Sequence, residues 1–231
     1  MQAIRGSVPK AGNRPEENED AWACAGDRGM FSVSDGASES IFSGLWARIL
    51  VERAVSLSPQ FVTVRSVLDA MVDRARDAWY SGINWEGLKW NVKNKATRGS
   101  HATLLIVHVG ETVVSSAVGD SCLFIRKGQQ LVSFPIRHVN EFGITPSLVW
   151  SGYGAPLRKR VSTRNPWKVF SYTGPYDEVL LATDALSAWV MSEGAGAMER
   201  LRSEEPETLL PSLQREGSVR NDDLTFILVR R

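Results

Sequence analysis

Residues 19–36 read Glu-Asp-Ala-Trp-Ala-Cys-Ala-Gly-Asp-Arg-Gly-Met-Phe-Ser-Val-Ser-Asp-Gly. Two short, mostly apolar runs, Ala21 to Ala25 and Met30 to Ser34, lie inside this stretch, and runs of this length bounded by turn residues read as buried strands. Acids stand at their outer ends: Glu19 and Asp20 precede the first, and Asp35 with Gly36 follows the second. Two later runs repeat the pattern. Glu178 to Thr183 leads into Asp184, and Leu224 to Val229 follows Asp222 and Asp223. If antiparallel partners bring these ends together, four or five carboxylates converge at one sheet mouth.

Further out from that stretch, three more strands are expected at Ala102 to Val109, Thr112 to Val118 and Ser121 to Arg126. Gly110-Glu111 and Gly119-Asp120 divide them as two-residue turns, the mark of hairpins. Gln130 to Phe134 adds another strand after Lys127-Gly128. Ser40 to Leu57 carries Ile41, Leu45, Ile49 and Ala54 at helical spacing, and Pro59 ends it. Val64 to Tyr80 is a second helix with Val67, Leu68, Met71, Ala75, Ala78 and Trp79 on one side. Shorter helices are expected at Leu186 to Met191, Ala195 to Ser203 and Glu207 to Gln214. Helices are not interleaved one-for-one with strands, which argues against a parallel doubly wound sheet. The order fits an α+β chain with two antiparallel sheets flanked by helices. We read residues 1–231 as a single domain in which the Pro- and Gly-bearing segment 136–167 is irregular.

Composition narrows the function classes. Apolar residues make up 43% and charged residues 23%, enough for a packed core. A formal charge of +1 gives no bulk electrostatic reason to expect a nucleic-acid partner. Without a basic stripe, the eight tryptophans read as core and interface packing. Cys24 and Cys122 are far apart and form no C-x-x-C, so they read as buried thiols of a reducing compartment rather than zinc ligands or a disulfide. His101, His108 and His138 have no metal-ligand spacing. Met1 to Pro9 lacks an apolar signal segment, and no run approaches the ~20 apolar residues that span a bilayer. A cytoplasmic protein without a membrane partner is expected. There is no G-x-x-x-x-G-K-[ST] loop, and neither cysteine lies in a phosphate cradle.

Converging carboxylates are costly alone, because like charges at close range oppose ionisation. A divalent cation reverses that logic. Oxygen-only ligation suits Mg²⁺ or Mn²⁺ rather than zinc on sulfur and nitrogen. Two such ions roughly 3.5–4 Å apart can lower the pKa of a water and aim it at phosphorus.

The segments Asn18-Glu19-Asp20-Ala21, Ser34-Asp35-Gly36, Gly119-Asp120-Ser121, Ala182-Thr183-Asp184 and Asn221-Asp222-Asp223-Leu224-Thr225 occur in the order found in PPM-type phosphatases, the protein phosphatase 2C family. Asp-Gly-Ala-Ser-Glu at Asp35 to Glu39 resembles a bacterial branch. The resemblance runs from about residue 10 to the C-terminus. It implies a central β-sandwich between helical layers, with a two-metal site at one end. It implies hydrolysis of phosphoserine and phosphothreonine in proteins by a metal-bridging hydroxide, without a phosphoenzyme. Asp20 and Asp35 match the family's main metal-binding acids, Gly36 a glycine that offers its carbonyl, Asp184 and Asp222 the two later ligands, and Glu19 an acid acting through water. Arg14 is the candidate phosphate clamp, one residue further from Asp20 than the family's usual arginine, and its guanidinium suits phosphate oxygens. Segment 136–167 corresponds to a flap in the family, and Arg158-Lys159-Arg160 within it could steer a phosphorylated partner. Phosphorylated proteins and a bacterial Ser/Thr kinase are the implied partners.

Four departures from the family pattern qualify this. Ala188 stands where many members have an acid, which argues against a third ion and leaves Asp120 as a turn residue. Ala185 replaces a frequent glycine. Ala37 stands where some members place a histidine, so leaving-group protonation falls to water. Asp223 replaces the usual asparagine and adds a charge beside the site. The alternative is a catalytically silent module of the same fold that binds a phosphoprotein or kinase.

Overall fold

The computed structural model describes residues 1–142, 146–152 and 166–230. Twelve strands lie in them: β1 Gln2–Val8, β2 Ala21–Ala25, β3 Met30–Ser34, β4 His101–Ala102, β5 Leu104–Val109, β6 Val113–Val118, β7 Cys122–Lys127, β8 Gln130–Phe134, β9 Val149–Trp150, β10 Lys168–Tyr172, β11 Glu178–Ala182 and β12 Leu224–Arg230. Six helices accompany them: α1 Ser43–Val55, α2 Arg65–Ser81, α3 Trp90–Ala96, α4 Asp184–Glu193, α5 Ala195–Ser203 and α6 Pro206–Arg215.

The strands form two five-stranded antiparallel sheets, ordered β1-β12-β11-β7-β8 and β10-β6-β5-β3-β2, and a small pair β4-β9. Alternation along each strand builds the layers. In β12, Leu224, Phe226 and Leu228 face the cluster shared with α4, α5 and α6, while Ile227 and Val229 face the other sheet. In β5, Leu104 and Ile106 face α1 and α2, while Leu105, Val107 and Val109 meet the opposite sheet. Both faces of these strands are covered, which is why they read as unbroken apolar runs. The result is the expected sandwich of two sheets between helical layers.

Several expectations are revised. The Gly119-Asp120 turn does not close a hairpin: β6 pairs with β5 and β10, whereas β7 pairs with β11 and β8. The chain there crosses from one sheet to the other. Gly119 allows it at φ +105°, where a Cβ would fall 2.6–2.7 Å from the Thr103 side chain. Thr103 also divides the strand expected over Ala102 to Val109, sending β4 to pair with β9. Helix α1 begins only at Ser43, after Phe42 takes a left-handed φ of 56°. Its buried face is therefore Trp46, Leu50 and Ala54 with Ala47 and Val51, one residue around from the anticipated one. Cys122 is buried as expected, but Cys24 is only half-buried and accepts a bond from Arg5 Nη1 at 3.4 Å. Strands β1, β9 and β10 and helix α3 had no counterpart in the sequence reading. Residues 143–145 and 153–165 of the expected flap, with Arg158-Lys159-Arg160, lie outside the described residues.

Register sets the placement of the acids. Ala21 pairs with Ser34, so Asp20 and Asp35 leave the β2-β3 pair at one end. Ala182 pairs with Phe226 and with Cys122, which brings Asp184, Asp222 and Asp120 to that same end of the neighbouring sheet. At the opposite end, a single buried carboxylate, Glu178, is paired with Arg126 Nε at 2.8 Å and approached by Arg202 and Arg230. No helix among the described residues is long and apolar enough to cross a membrane. Phe226 is fully buried between its sheet and the helices. Phe226→Ala is expected to lower the free energy of unfolding by about 3–5 kcal/mol, read from urea denaturation.

Candidate metal and phosphate site

Asp35 follows β3 and is fixed through Thr103. Its N–H donates to Thr103 Oγ1 at 2.9 Å, and its carbonyl accepts the Thr103 N–H at 2.8 Å. The Thr103 hydroxyl in turn contacts Ser121 Oγ at 2.7 Å, which links the β3 end to the sheet crossing that carries Asp120. Asp184 opens α4, where its Oδ1 accepts the Ala185 N–H at 2.6 Å. Carboxylate oxygens of Asp35, Asp120 and Asp184 all lie within 4.8 Å of one another. Asp120 is thus a member of the cluster and not only a turn residue, even with no second acid at Ala188; the Gly-Asp-Ser motif is its signal in the sequence. A cavity of about 430 Å³ opens onto the cluster, lined among others by Asp35, Asp120, Asp184, Arg220 and Asp222.

Asp20 stands beside this group. Asn18 Oδ1 accepts its N–H at 2.9 Å, and the Thr183 hydroxyl donates to its Oδ2 at 2.8 Å. Thr183 also accepts the Thr225 N–H at 3.1 Å, so the residue after β11 and the start of β12 together orient Asp20. Glu19 reaches Ser43, whose hydroxyl donates to it, and Lys10, whose Nζ is 3.7 Å away. Gly36 is packed so tightly that a Cβ would lie 2.7 Å from the Glu19 carbonyl oxygen and 2.8–2.9 Å from Ser43. Any side chain there would push apart the β2 and β3 ends.

Asp223 is buried, and its carboxylate accepts two backbone N–H groups, from Lys10 and Glu19, both at 2.8 Å. The additional charge is therefore a brace that ties β12 to the chain entering β2. Arg14 is exposed; its N–H donates to Glu17 Oε2 at 2.7 Å, and its guanidinium makes no ion pair among the described residues. The arginine that does meet the acids is Arg220, which the sequence reading missed. It bonds Asp184 and lies 2.9 Å from Asp222 Oδ2.

Burial and mutual repulsion push Asp20, Asp35, Asp120 and Asp184 toward their neutral forms. The Asp35 carboxyl is raised well above the usual range by burial first, then by Asp20 and Asp184. Asp20 is raised by burial and by Asp223, against the Thr183 bond that lowers it. Asp184 is raised by burial, with Arg220 opposing, and Asp120 is pushed up to about 6 by burial and then Asp184. Among the described residues, Arg220 is the only cation paired with Asp184 or Asp222, and Lys10 the only one paired with Glu19. The arrangement is short of positive charge.

The sequence profile of the protein phosphatase 2C family matches residues 13–225, and the chain belongs to that family. It is a metal-dependent serine/threonine protein phosphatase by that membership. Solved structures of the same fold include a bacterial serine phosphatase at 18% identity and a TM-score of 0.67, covering 100% of this chain and 97% of the other. They also include the serine/threonine phosphatase Stp1 from Staphylococcus aureus, at 16% and 0.65, covering 100% and 95%. A third is the catalytic domain of PstP in complex with two manganese ions, at 16% and 0.65, covering 98% and 96%. No curated protein sequence matches the chain.

A carboxylate whose folded pKa is raised binds more protons in the folded state, so its stability contribution falls as pH rises from the unfolded to the folded value. For Asp120 that window runs from the ordinary 3.8 to about 6. In metal-free protein, Asp120→Asn is expected to remove up to about 3 kcal/mol of that decline. Melting temperatures of wild type and variant across pH 4–7, with and without Mn²⁺, check it; unchanged slopes would show that Asp120 ionises freely.

Proposed function

We propose that the chain hydrolyses phosphoserine and phosphothreonine of proteins directly, using two Mn²⁺ or Mg²⁺ ions at the acidic end of the sandwich. The observation that carries this reading is the approach of the Asp35, Asp120 and Asp184 oxygens to within 4.8 Å. Such an oxygen-only set fits a hard divalent ion, and its raised pKa values are the cost that a cation would remove. In this reading Asp20, Asp35, Asp184 and Asp222 hold the ions with the Gly36 carbonyl, and Glu19 acts through water. When bound, the ions supply a water of lowered pKa as nucleophile and positive charge against the phosphoryl oxygens.

The chain's own residues supply position. Thr183 aims Asp20, Thr103 fixes the backbone of Asp35, and Asp223 holds the Glu19-Asp20 entry to β2. Ala37 lines the cavity without a proton to give, so the leaving oxygen takes its proton from solvent. Arg14, on the loop before Asp20, is our candidate for the phosphate group on substrate. Phosphorylated cytoplasmic proteins of a Ser/Thr kinase pathway are the proposed substrates, and segment 136–167 the proposed flap.

Phosphate release from a phosphothreonine peptide should require Mn²⁺, stop with EDTA, and fall at least about a hundredfold in Asp184→Asn. Arg14→Ala should raise KM with less effect on kcat, the pattern of lost ground-state binding. Absence of release under any metal, with the fold intact by circular dichroism, would assign the chain to the phosphoprotein-binding alternative.

A further inference from the structure

We propose that Arg220 is a displaceable counter-cation of the carboxylate cluster: its guanidinium holds oxygens of Asp184 and Asp222 that a divalent ion would take, so that metal loading must move it. This rests on the reading of those two acids as metal ligands.

Geometry is the first argument. A single nitrogen, Nη2, bonds Asp184 Oδ2 and lies 2.9 Å from Asp222 Oδ2, while Nε donates to the same Asp222 oxygen at 3.1 Å. One positive group therefore bridges two acids delivered by different loops, the arrangement a cation between them would have. Each oxygen so engaged is less available to an ion, and a guanidinium left in place would repel a second positive charge a few ångströms away.

Freedom to move is the second. Arg220 makes no other hydrogen bond or ion pair among the described residues, and its side chain is 51% exposed. It stands between two openings: the acid-lined cavity of about 430 Å³ and a second of about 250 Å³ lined by Ala188, Ser192 and Ser218 among others. Phe142 and Trp189 also line the second, and its volume leaves room for the displaced head. The contrast with Arg126, which is nearly buried and bonded to Glu178 and to the Gly128 carbonyl, is between a fixed and a releasable guanidinium.

The consequence is a competition written into the metal affinity. With Arg220 present, part of each ion's binding is spent on breaking its two charge-assisted bonds; without it, the bare acids take the ion more readily. Lysine keeps the charge but has no forked head to bridge both acids.

Isothermal titration of the full metal-free chain with MnCl₂ at pH 8 tests this, using wild type, Arg220→Lys, Arg220→Gln and Asp184→Asn. The expected order of Mn²⁺ affinity is wild type weakest, Arg220→Lys intermediate and Arg220→Gln tightest, by roughly tenfold, the scale of one charge-assisted hydrogen bond. Equal or weaker binding by Arg220→Gln, with Asp184→Asn still impaired, overturns the proposal and leaves the metal site standing. Asp184→Asn binding like wild type, or no Mn²⁺ binding by wild type, removes the metal-site reading and this proposal with it. If Arg220→Gln does not fold without metal, Arg220→Lys against wild type decides alone: tighter binding supports displacement, and unchanged binding overturns it.

Discussion

Repulsion among carboxylates at one end of the sandwich is the constraint around which this protein is arranged. Asp20, Asp35, Asp120, Asp184 and Asp222 arrive there from five separate places in the chain, and all are partly or wholly removed from water. Carboxylates in that position resist ionisation, and the shifts at Asp20, Asp35, Asp120 and Asp184 all run in that direction. Neutral acids would be poor ligands, and charged ones need a cation. Among the described residues, Arg220 is the one cation that pairs with any of these five.

The scaffold tolerates that repulsion because the acids sit on short connections whose other bonds are fixed. Buried apolar faces on both sides of each sheet lock the strands in register, and register alone decides which strand ends coincide. Small polar side chains then finish the alignment: Thr103 for Asp35, Thr183 for Asp20, Asp223 for the entry to β2. The opposite end of the same sheet shows the other solution to a buried acid, with Glu178 held by Arg126 and flanked by two further guanidiniums. One end is satisfied by guanidiniums of the chain itself; the other gathers carboxylates around an open cavity.

Departures from the family pattern take on different weights in this setting. Asp223 in place of asparagine is a structural brace, since a carboxylate can accept from two N–H groups at once where an amide offers one oxygen. Ala188 removes an acid from the wall beside Asp184, and the space it leaves lies next to Arg220. With alanine at 188 and the Arg220 guanidinium beside it, that wall carries more positive charge than an acid there would leave it.

The sequence by itself determined eight of the twelve strands and the acids that flank them. Ala21 to Ala25 and Met30 to Ser34 match β2 and β3, and the long helices fall within three residues of their expected ends, because apolar periodicity and turn residues are local signals. The ordered acidic motifs also identified the family. Tertiary structure alone decided the rest. Only pairing shows that Gly119-Asp120 crosses between sheets, because a tight glycine turn looks the same locally whether the next strand returns or departs. Only the folded chain places Asp120 and Arg220 against Asp184, since those contacts join residues far apart in sequence through the register of strands between them. Arg14, matched to the family's arginine by resemblance, lies exposed on a loop, while the guanidinium that meets the acids among the described residues is that of Arg220, just before β12. Spacing in sequence measures chain length; charge interactions depend on distance in space, and the sheets set that distance.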